Sequence, residues 1–295
     1  MKEKLLISFS GGRTSAYMMW YMLNEWEDRS NYDIKIVFAN TGLEEPGTLL
    51  FVHNCSIKWG IDIVWVEARH RDENGKPFST KGWKVKHQIV DYFTAARCQK
   101  LTDGNWAWTP FEEMISVLGI PSTNAPFCSD QLKRIAIESY LKSIGWDDFY
   151  KAIGIRVDEV DRISEGFRKK KIIYPLIKNK PTFKRDVIIW WDKQDFDLNI
   201  DADFGNCNFC WKKDMNRLVR CAIKKPDTFQ WWQDMADKYG MLNPRNIDLL
   251  PPFNFYRGNL SPKDILKLSE LELQQLDLFI KEEKLNGCDE SCEAF

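Results

Sequence analysis

The sequence has little histidine, no long apolar run and almost no net charge. Its three histidines, His53, His70 and His87, are too scattered to match the spacing of metal ligands, so we expect them in structural or surface roles. No apolar run approaches the roughly 20 residues that a membrane-spanning helix needs. The apolar segment Leu5 to Ile7 is too short for the core of a signal peptide. We therefore expect a cytoplasmic protein with no membrane partner.

The net charge of −1 gives no general reason to expect nonspecific binding to nucleic acid. Local charge differs, because eight basic residues and no acidic residue lie between Arg168 and Arg185. Such a run is usually a solvated face, and a role in anion binding is the alternative. Nucleic acid stays open as a partner, with weak support.

Cysteine and tryptophan are well represented. The eight cysteines would not form structural disulfides in a reducing cytoplasm, so closely spaced pairs predict metal binding or redox chemistry. We expect core contacts rather than base stacking for the tryptophans that occur close together, which are Trp106 with Trp108, Trp190 with Trp191, and Trp231 with Trp232.

Strands alternate with helices in the first part of the chain. The predicted strands are Leu5–Phe9, Ile34–Ala39, Ile61–Val66 and Phe149–Ile155, and the predicted helices are Thr14–Glu25, Pro46–Trp59 and Gln131–Ile144. This order predicts an α/β fold whose parallel sheet carries helices on both faces. We assign residues 1–180 to this domain, with 69–110 as an insertion. Residues 181–295 form a predicted helical subdomain, with helices at Lys184–Gln194, Asp214–Lys224, Asp227–Gly240 and Ser261–Lys284.

A glycine pair separates the first predicted strand from the first helix, in the segment Ser10, Gly11, Gly12, Arg13, Thr14 and Ser15. Glycines at such a turn let backbone N–H groups approach phosphate, and the hydroxyls add donors at a helix N-terminus. Because the glycines are adjacent and no lysine follows, the segment is neither the dinucleotide fingerprint nor the GxxxxGK[ST] loop. A phosphate-binding loop and a simple tight turn both fit these residues.

The string SGGRTS resembles the PP-loop of the N-type ATP pyrophosphatase and phosphoadenylyl-sulfate (PAPS) reductase superfamily. Three more segments fit the reductase-like branch in the expected order: FANTGLE (Phe38 to Glu44), FCSDQLK (Phe127 to Lys133) and GIRVDEVDR (Gly154 to Arg162). Phage and bacterial proteins of the PAPS-reductase family look especially similar. The resemblance implies a Rossmann-like (HUP-type) sheet that binds an adenine nucleotide, namely PAPS, adenylyl sulfate (APS) or ATP.

The resemblance also implies residues for the nucleotide and for the reacting group. The nucleotide-binding residues would be Ser10 to Ser15 with Phe38, Asn40, Thr41, Gly42, Glu44 and Asp158. Lys133, Arg156 and Arg162 would offset phosphate or sulfonate charge. The alternative for the two arginines is ion pairing with Asp158 and Glu159. Most ATP-cleaving relatives carry an aspartate where Thr14 stands, so nucleotide binding is better supported than ATP hydrolysis.

Cys207 and Cys210 form a CxxC, which can chelate a metal or form a reversible disulfide. In iron–sulfur APS reductases a Cys-Cys pair joins a comparable CxxC on a [4Fe-4S] cluster. Here Cys128 matches the first member of that pair, and Ser129 replaces the second.

The C-terminal tail adds another pair of cysteines. Cys288 and Cys292 could complete a zinc site with the CxxC, so an iron–sulfur cluster and zinc both stay open, with Cys128, Cys207, Cys210 and Cys288 as candidate ligands. Alternatively, the resemblance implies that Cys292 attacks the sulfonate sulfur and that thioredoxin then reduces the product.

The expected function is that of a PAPS reductase-like oxidoreductase acting on the sulfur of an activated sulfate. The alternative is a transferase of the ATP pyrophosphatase type, which adenylates a nucleobase or other substrate for sulfur or amine transfer. Release of pyrophosphate would distinguish the two. A third alternative is a protein that binds a nucleotide without turnover. The sequence leaves open whether the chain forms a homodimer.

Overall fold

Within the residues that the computed structural model describes, which are 2–80, 84–205, 207–244 and 247–273, six strands form one sheet. The strands are β1 (Glu3–Phe9), β2 (Tyr32–Asn40), β3 (Ile63–Arg69), β4 (Lys86–Val90), β5 (Tyr150–Ala152) and β6 (Ile172–Ile173). They lie in the order β4-β3-β2-β1-β5-β6. Neighbours pair in parallel except for the antiparallel β3 and β4. The predicted α/β fold with a mostly parallel sheet is confirmed.

The helices flank this sheet. They are α1 (Arg13–Asn24), α2 (Pro46–Trp59), α3 (Pro110–Leu118), α4 (Ile135–Ser143), α5 (Pro175–Lys178), α6 (Lys184–Trp191), α7 (Met215–Lys224), α8 (Pro226–Tyr239) and α9 (Pro262–Leu273). A π-helical turn, Asp130–Arg134, leads directly into α4. No helix in the described ranges is long and apolar enough to cross a membrane.

Two hydrophobic cores cover the two faces of the sheet. Leu5, Leu6 and Ile7 of β1 are all fully buried, because successive side chains of a central strand point to opposite covered faces. Leu5 and Ile7 share a core with α1, α2 and Trp191 of α6. Leu6 shares the other core with α3, α4 and Trp232 of α8. The C-terminal helices therefore contribute to both cores, and burial confirms core positions for Trp191, Trp231 and Trp232. The expectation is wrong for Trp108, which is 40% exposed.

The structure differs from the sequence prediction mainly at the sheet edges. The segment 69–110 contributes β4, an antiparallel edge strand, and the short β6 adds another edge strand after β5. The predicted helix Gln131–Ile144 is a π-helical turn followed by α4. Edge strands of two to five residues carry too little alternation to be recognised from sequence.

Candidate functional site

The glycine loop, residues 10–15, lies at the carboxyl end of β1, where α1 begins. Gly11 has φ +81°, and a Cβ there would lie 2.9 Å from Thr48 Cγ2, so only glycine fits both the backbone and the packing against α2. The Ser10 and Ser15 hydroxyls lie 2.8 Å apart, and Ser15 Oγ also donates to the Gly12 carbonyl at 3.0 Å. Gly12 is the N-cap of α1. The N–H groups of the first turn, which have no partner within the helix, therefore lie at the carboxyl end of β1.

The side chain of Arg13 forms an ion pair with Asp197. Its guanidinium donates two hydrogen bonds to the Asp197 carboxylate, both at 2.7 Å, and another to the Leu198 carbonyl at 2.8 Å. The indole of Trp191 donates to the Arg13 carbonyl at 3.0 Å. Arg13 therefore ties the glycine loop to the segment after α6.

The carboxyl end of β2 lies beside the glycine loop. Asn40 is fully buried, and its amide donates to Glu67 Oε1 at 2.6 Å and to the Ala96 carbonyl at 2.9 Å. Its Oδ1 accepts from the Gly42 N–H at 3.1 Å, which shapes the turn. Phe38 is in the core, with 1% of its surface exposed. The side chains of Phe38 and Asn40 are thus structural, which leaves backbone groups for any nucleotide contact.

Thr41, Glu44 and Lys133 form a buried polar group next to this turn. The N–H and hydroxyl of Thr41 each donate to the Glu44 carboxylate at 2.9 Å. Burial raises the pKa of the Glu44 carboxyl above its ordinary value, although the Lys133 charge and the Thr41 hydrogen bonds oppose the rise. Lys133 has only 5% of its surface exposed. The structure therefore brings the predicted residues Thr41, Glu44 and Lys133 together.

Arg156, after β5, links the glycine loop to two carboxylates. Its guanidinium donates to Thr14 Oγ1 at 2.8 Å and to Asp158 Oδ2 at 3.0 Å, and it lies 3.5 Å from Glu159. Burial alone would raise the pKa of the Asp158 carboxyl, but the hydrogen bonds and charge of Arg156 bring it below its ordinary value. Arg162 pairs with Glu159. The ion pairs that the sequence offered as the alternative for both arginines are formed.

Thr41 also lines a pocket whose other residues come from distant parts of the sequence. We call it the cysteine pocket. Its lining comprises Thr41, Phe111, Cys128, Ser129, Leu132, Lys133, Cys207, Cys210, Trp211 and Trp232. Thr41 Oγ1 and Cys207 Sγ lie 3.4 Å apart, and the Asn208 N–H donates to the Leu43 carbonyl at 2.9 Å. The CxxC is therefore docked onto the turn after β2.

Cys128 opens the helical segment that continues through the π-helical turn. The positive end of a helix stabilises a thiolate, and π-helical turns are frequent at functional sites. This turn buries Lys133, which is the one charged residue that the described part of the chain contributes to the lining of the cysteine pocket. The pocket thus combines thiols with a buried cation.

The predicted metal site is not complete in the described part of the chain. There, no group of three or more His, Cys, Asp or Glu side chains is arranged to hold a metal ion. Cys288 and Cys292 lie outside the described residues. Burial raises the pKa of Cys55 strongly and that of Cys98 and Cys221 to about 12, so these three thiols stay protonated.

No family model matches the chain. Its sequence is 32% identical, over 98% of its length, to the uncharacterized nin region protein ORF290 of Escherichia phage lambda, of which it covers 94%. The chain belongs to the ORF290 family. It is also 21% identical, over 81% of its length, to the uncharacterized protein MJ0066 of Methanocaldococcus jannaschii. That match covers 42% of the archaeal protein.

Sequence reasoning missed several residues that build the site of this ORF290-family protein. Trp211 and Trp232 line the cysteine pocket, although neither belongs to a recognisable motif. Glu113 fixes α3 against β3 by accepting from the N–H groups of His70 and Arg71 at 2.6 and 2.9 Å. In the sequence, the position of Trp211 directly after the CxxC was the one indication that it lies near the cysteines.

Proposed function

We propose that this ORF290-family protein binds an adenine nucleotide at the carboxyl edge of its sheet and acts on the sulfur of an activated sulfate in the cysteine pocket. The observation that carries the proposal is the joint lining of one pocket by Cys128, Cys207, Cys210 and Lys133. These residues come from segments far apart in the chain.

The placement of the glycine loop supports nucleotide binding. Parallel α/β sheets bind ligands outside the carboxyl ends of their strands, and the N–H groups at the start of α1 suit a phosphate. The loop, the turn after β2 and the Arg156 segment after β5 all lie at this edge. The Rossmann-like HUP identity of the sheet belongs to the same proposal.

The chemistry proposed for the pocket is nucleophilic attack by a cysteine thiolate on the sulfonate sulfur. A sulfur–sulfur bond forms as the bond from sulfur to the phosphate oxygen breaks, and the nucleotide leaves with the electron pair. A second thiolate then attacks the S-sulfonated cysteine, releasing sulfite and leaving a disulfide. An external dithiol of the thioredoxin type reduces that disulfide.

Lys133 supplies the electrostatic part of this scheme. A buried ammonium group next to the reacting thiol stabilises both the thiolate and the oxygens of the sulfonate. Arg156 donates a hydrogen bond to Thr14 of the glycine loop. A positive charge at this position attracts phosphate and repels a magnesium ion. This arrangement favours PAPS or APS over the alternative of ATP cleavage.

The proposed step uses thiols alone, and among the described residues no group of three or more His, Cys, Asp or Glu side chains is arranged to hold a metal ion. A cluster or zinc site would need Cys288 or Cys292 in addition to the CxxC. The attacking thiolate is assigned to the cysteine pocket, and Cys292 is the competing nucleophile.

The test is sulfite release from PAPS and from APS with a dithiol reductant, alongside calorimetric binding of adenosine 3′,5′-bisphosphate. We expect turnover in the wild type. Cys207→Ser should lower the rate at least roughly a hundredfold, since it removes a group that acts in the transition state. Its affinity for the bisphosphate should be unchanged.

Cys55→Ala is the matched control, because Cys55 is a buried thiol of α2 outside the pocket. It should keep the wild-type rate. Loss of turnover in Cys292→Ser with normal turnover in Cys207→Ser would move the nucleophile to the tail. Release of pyrophosphate from ATP without sulfite release from either sulfate would overturn the proposal in favour of the transferase reading.

A further inference from the structure

A second concave surface lies at the end of the sheet opposite the glycine loop, where the strands begin. We call it the basic groove. It encloses about 440 Å³ and is lined by five lysines, which are Lys142, Lys151, Lys169, Lys170 and Lys171. Lys151 belongs to β5, and its partner in the sheet is Ile172 of β6. Because Tyr150 of β5 pairs with Leu5 near the start of β1, the groove lies at the amino ends of the strands.

Three carboxylates also line the groove, but two of them already have cationic partners. Glu138 accepts from Arg134 at 2.7 Å and lies 3.5 Å from Lys151, and Asp148 pairs with Lys171. Asp147 is the third. These carboxylates offset the charges of Lys151 and Lys171, and the charges of Lys142, Lys169 and Lys170 are left.

Lys142, Lys169 and Lys170 are exposed and form no ion pair with a described carboxylate. The side chain of Lys170 donates a hydrogen bond to Ser164 Oγ at 2.8 Å. Arg168, next in the chain, stacks over Phe167 with its guanidinium 5.6 Å from the ring centre. The groove therefore presents three exposed lysines to solvent on a protein whose net charge is −1.

Aromatic rings are interleaved with these lysines. Lys151 lies over the ring of Phe149 at 5.4 Å, and Lys171 lies over Tyr150 at 5.3 Å. Phe149 lines the groove and is only half-buried. A groove that combines a track of cations with accessible rings is typical of proteins that hold single-stranded nucleic acid through its backbone and bases.

We infer that the basic groove binds single-stranded nucleic acid through its phosphate backbone. The lysines come from α4, from β5 and from the segment just before β6, and such a set of separate cations suits a chain of phosphates better than a single compact anion. The groove is at the edge of the sheet opposite the glycine loop. It is therefore a separate docking surface, and the inference does not depend on the proposed function.

The test is fluorescence anisotropy of a labelled single-stranded oligonucleotide of mixed sequence, titrated with the full chain at several salt concentrations. Wild type should bind at roughly 50 mM salt, with affinity falling steeply as salt rises. The triple variant Lys142→Glu, Lys169→Glu, Lys170→Glu should bind at least roughly tenfold more weakly. Its slope of log Kd against log salt should fall by about two, since each lost phosphate contact on a single strand removes about 0.7.

A matched triple variant, Lys193→Glu, Lys263→Glu, Lys267→Glu, changes the net charge equally at exposed lysines outside the groove. It should keep the wild-type slope. Equal weakening in both triple variants, or no binding by wild type at low salt, would overturn the inference. Displacement by inorganic tripolyphosphate at an equal concentration of phosphate groups would also overturn it, since the ligand would then be a compact anion. Circular dichroism and thermal unfolding verify that each variant is folded.

Discussion

Two glycines show how much of a residue's role comes from its backbone conformation and how much from its packing. Gly11 adopts φ +81° and packs against Thr48, whereas Gly60, at the end of α2, adopts φ +63° with open space around it. The two glycines thus separate conformational strain from steric overlap.

Gly11→Ala should destabilise the protein by about 2–4 kcal/mol and abolish nucleotide binding, because its Cβ would overlap Thr48 Cγ2 and approach Phe38. Gly60→Ala should cost only about 1 kcal/mol, since it carries the strain alone. Urea unfolding gives both values, and calorimetry gives the affinity for adenosine 3′,5′-bisphosphate. Equal costs at the two positions would contradict the steric argument.

His70 is a buried titratable group behind the site. It is 1% exposed, and burial lowers its pKa to about 4 despite the opposing charge of Glu113. A depressed folded-state pKa means that the unfolded chain binds more protons. Stability is therefore full above the unfolded value of about 6.5 and is lost as pH falls towards 4.

This linkage should lower the free energy of unfolding by about 2 kcal/mol between about pH 7 and pH 5. His70→Gln should remove most of that difference, as measured by urea unfolding at the two pH values. Burial also lowers the pKa of His87, so His87→Gln is the comparison variant. A pH dependence that persists in His70→Gln and disappears in His87→Gln would assign the effect to His87.

At the level of elements, the CxxC turn is supported by an aromatic cluster. Phe209 lies between the two cysteines at φ +47°, and its ring is fully buried. It packs edge-on to Phe229 of α8 at 4.7 Å between ring centres, and its carbonyl accepts from the Tyr256 hydroxyl at 3.3 Å. Burial of this ring stabilises a backbone conformation that is unfavourable for phenylalanine.

Phe209→Ala should destabilise the protein by about 3–5 kcal/mol, because it leaves a cavity in the cluster. It should also increase the reaction rate of the pocket cysteines with a thiol reagent, since the turn loses its support. Phe229→Ala removes a ring from the same cluster without changing the turn itself. If both variants showed the same thiol rates, the aromatic ring of Phe209 would have no special part in holding the CxxC.

At the level of the whole molecule, the sheet and the C-terminal helices share their cores. Leu6 and Val66 of the sheet lie in one core with Trp231 and Trp232 of α8. On the other face, Trp191 of α6 packs with Phe51 of α2 at 5.0 Å. Residues beyond position 180 therefore complete the cover of both faces of the sheet.

The fragment 1–180 should therefore fail to fold alone, and the full chain should unfold in a single transition. Coincident urea curves from far-ultraviolet circular dichroism and tryptophan fluorescence would support this expectation. An independently folded fragment 1–180, with dispersed amide signals in its NMR spectrum, would contradict it.

Local pattern was sufficient for the α/β architecture, because helices and buried strands leave periodic signals and the turn at Gly11 needs a glycine. The four predicted strands all occur, as β1, β2, β3 and β5. The edge strands β4 and β6 left weaker signals, since short strands depend on a neighbour for their pairing.

Only the tertiary structure decided which residues meet. It brought Cys128, Lys133 and the CxxC to one pocket, used Arg13 and Asn40 for structural hydrogen bonds, and joined Arg156 to Thr14. These contacts span up to 184 positions between Arg13 and Asp197, so no local pattern encodes them. They depend on the burial of two shared cores, which holds distant segments of the chain at fixed positions relative to one another.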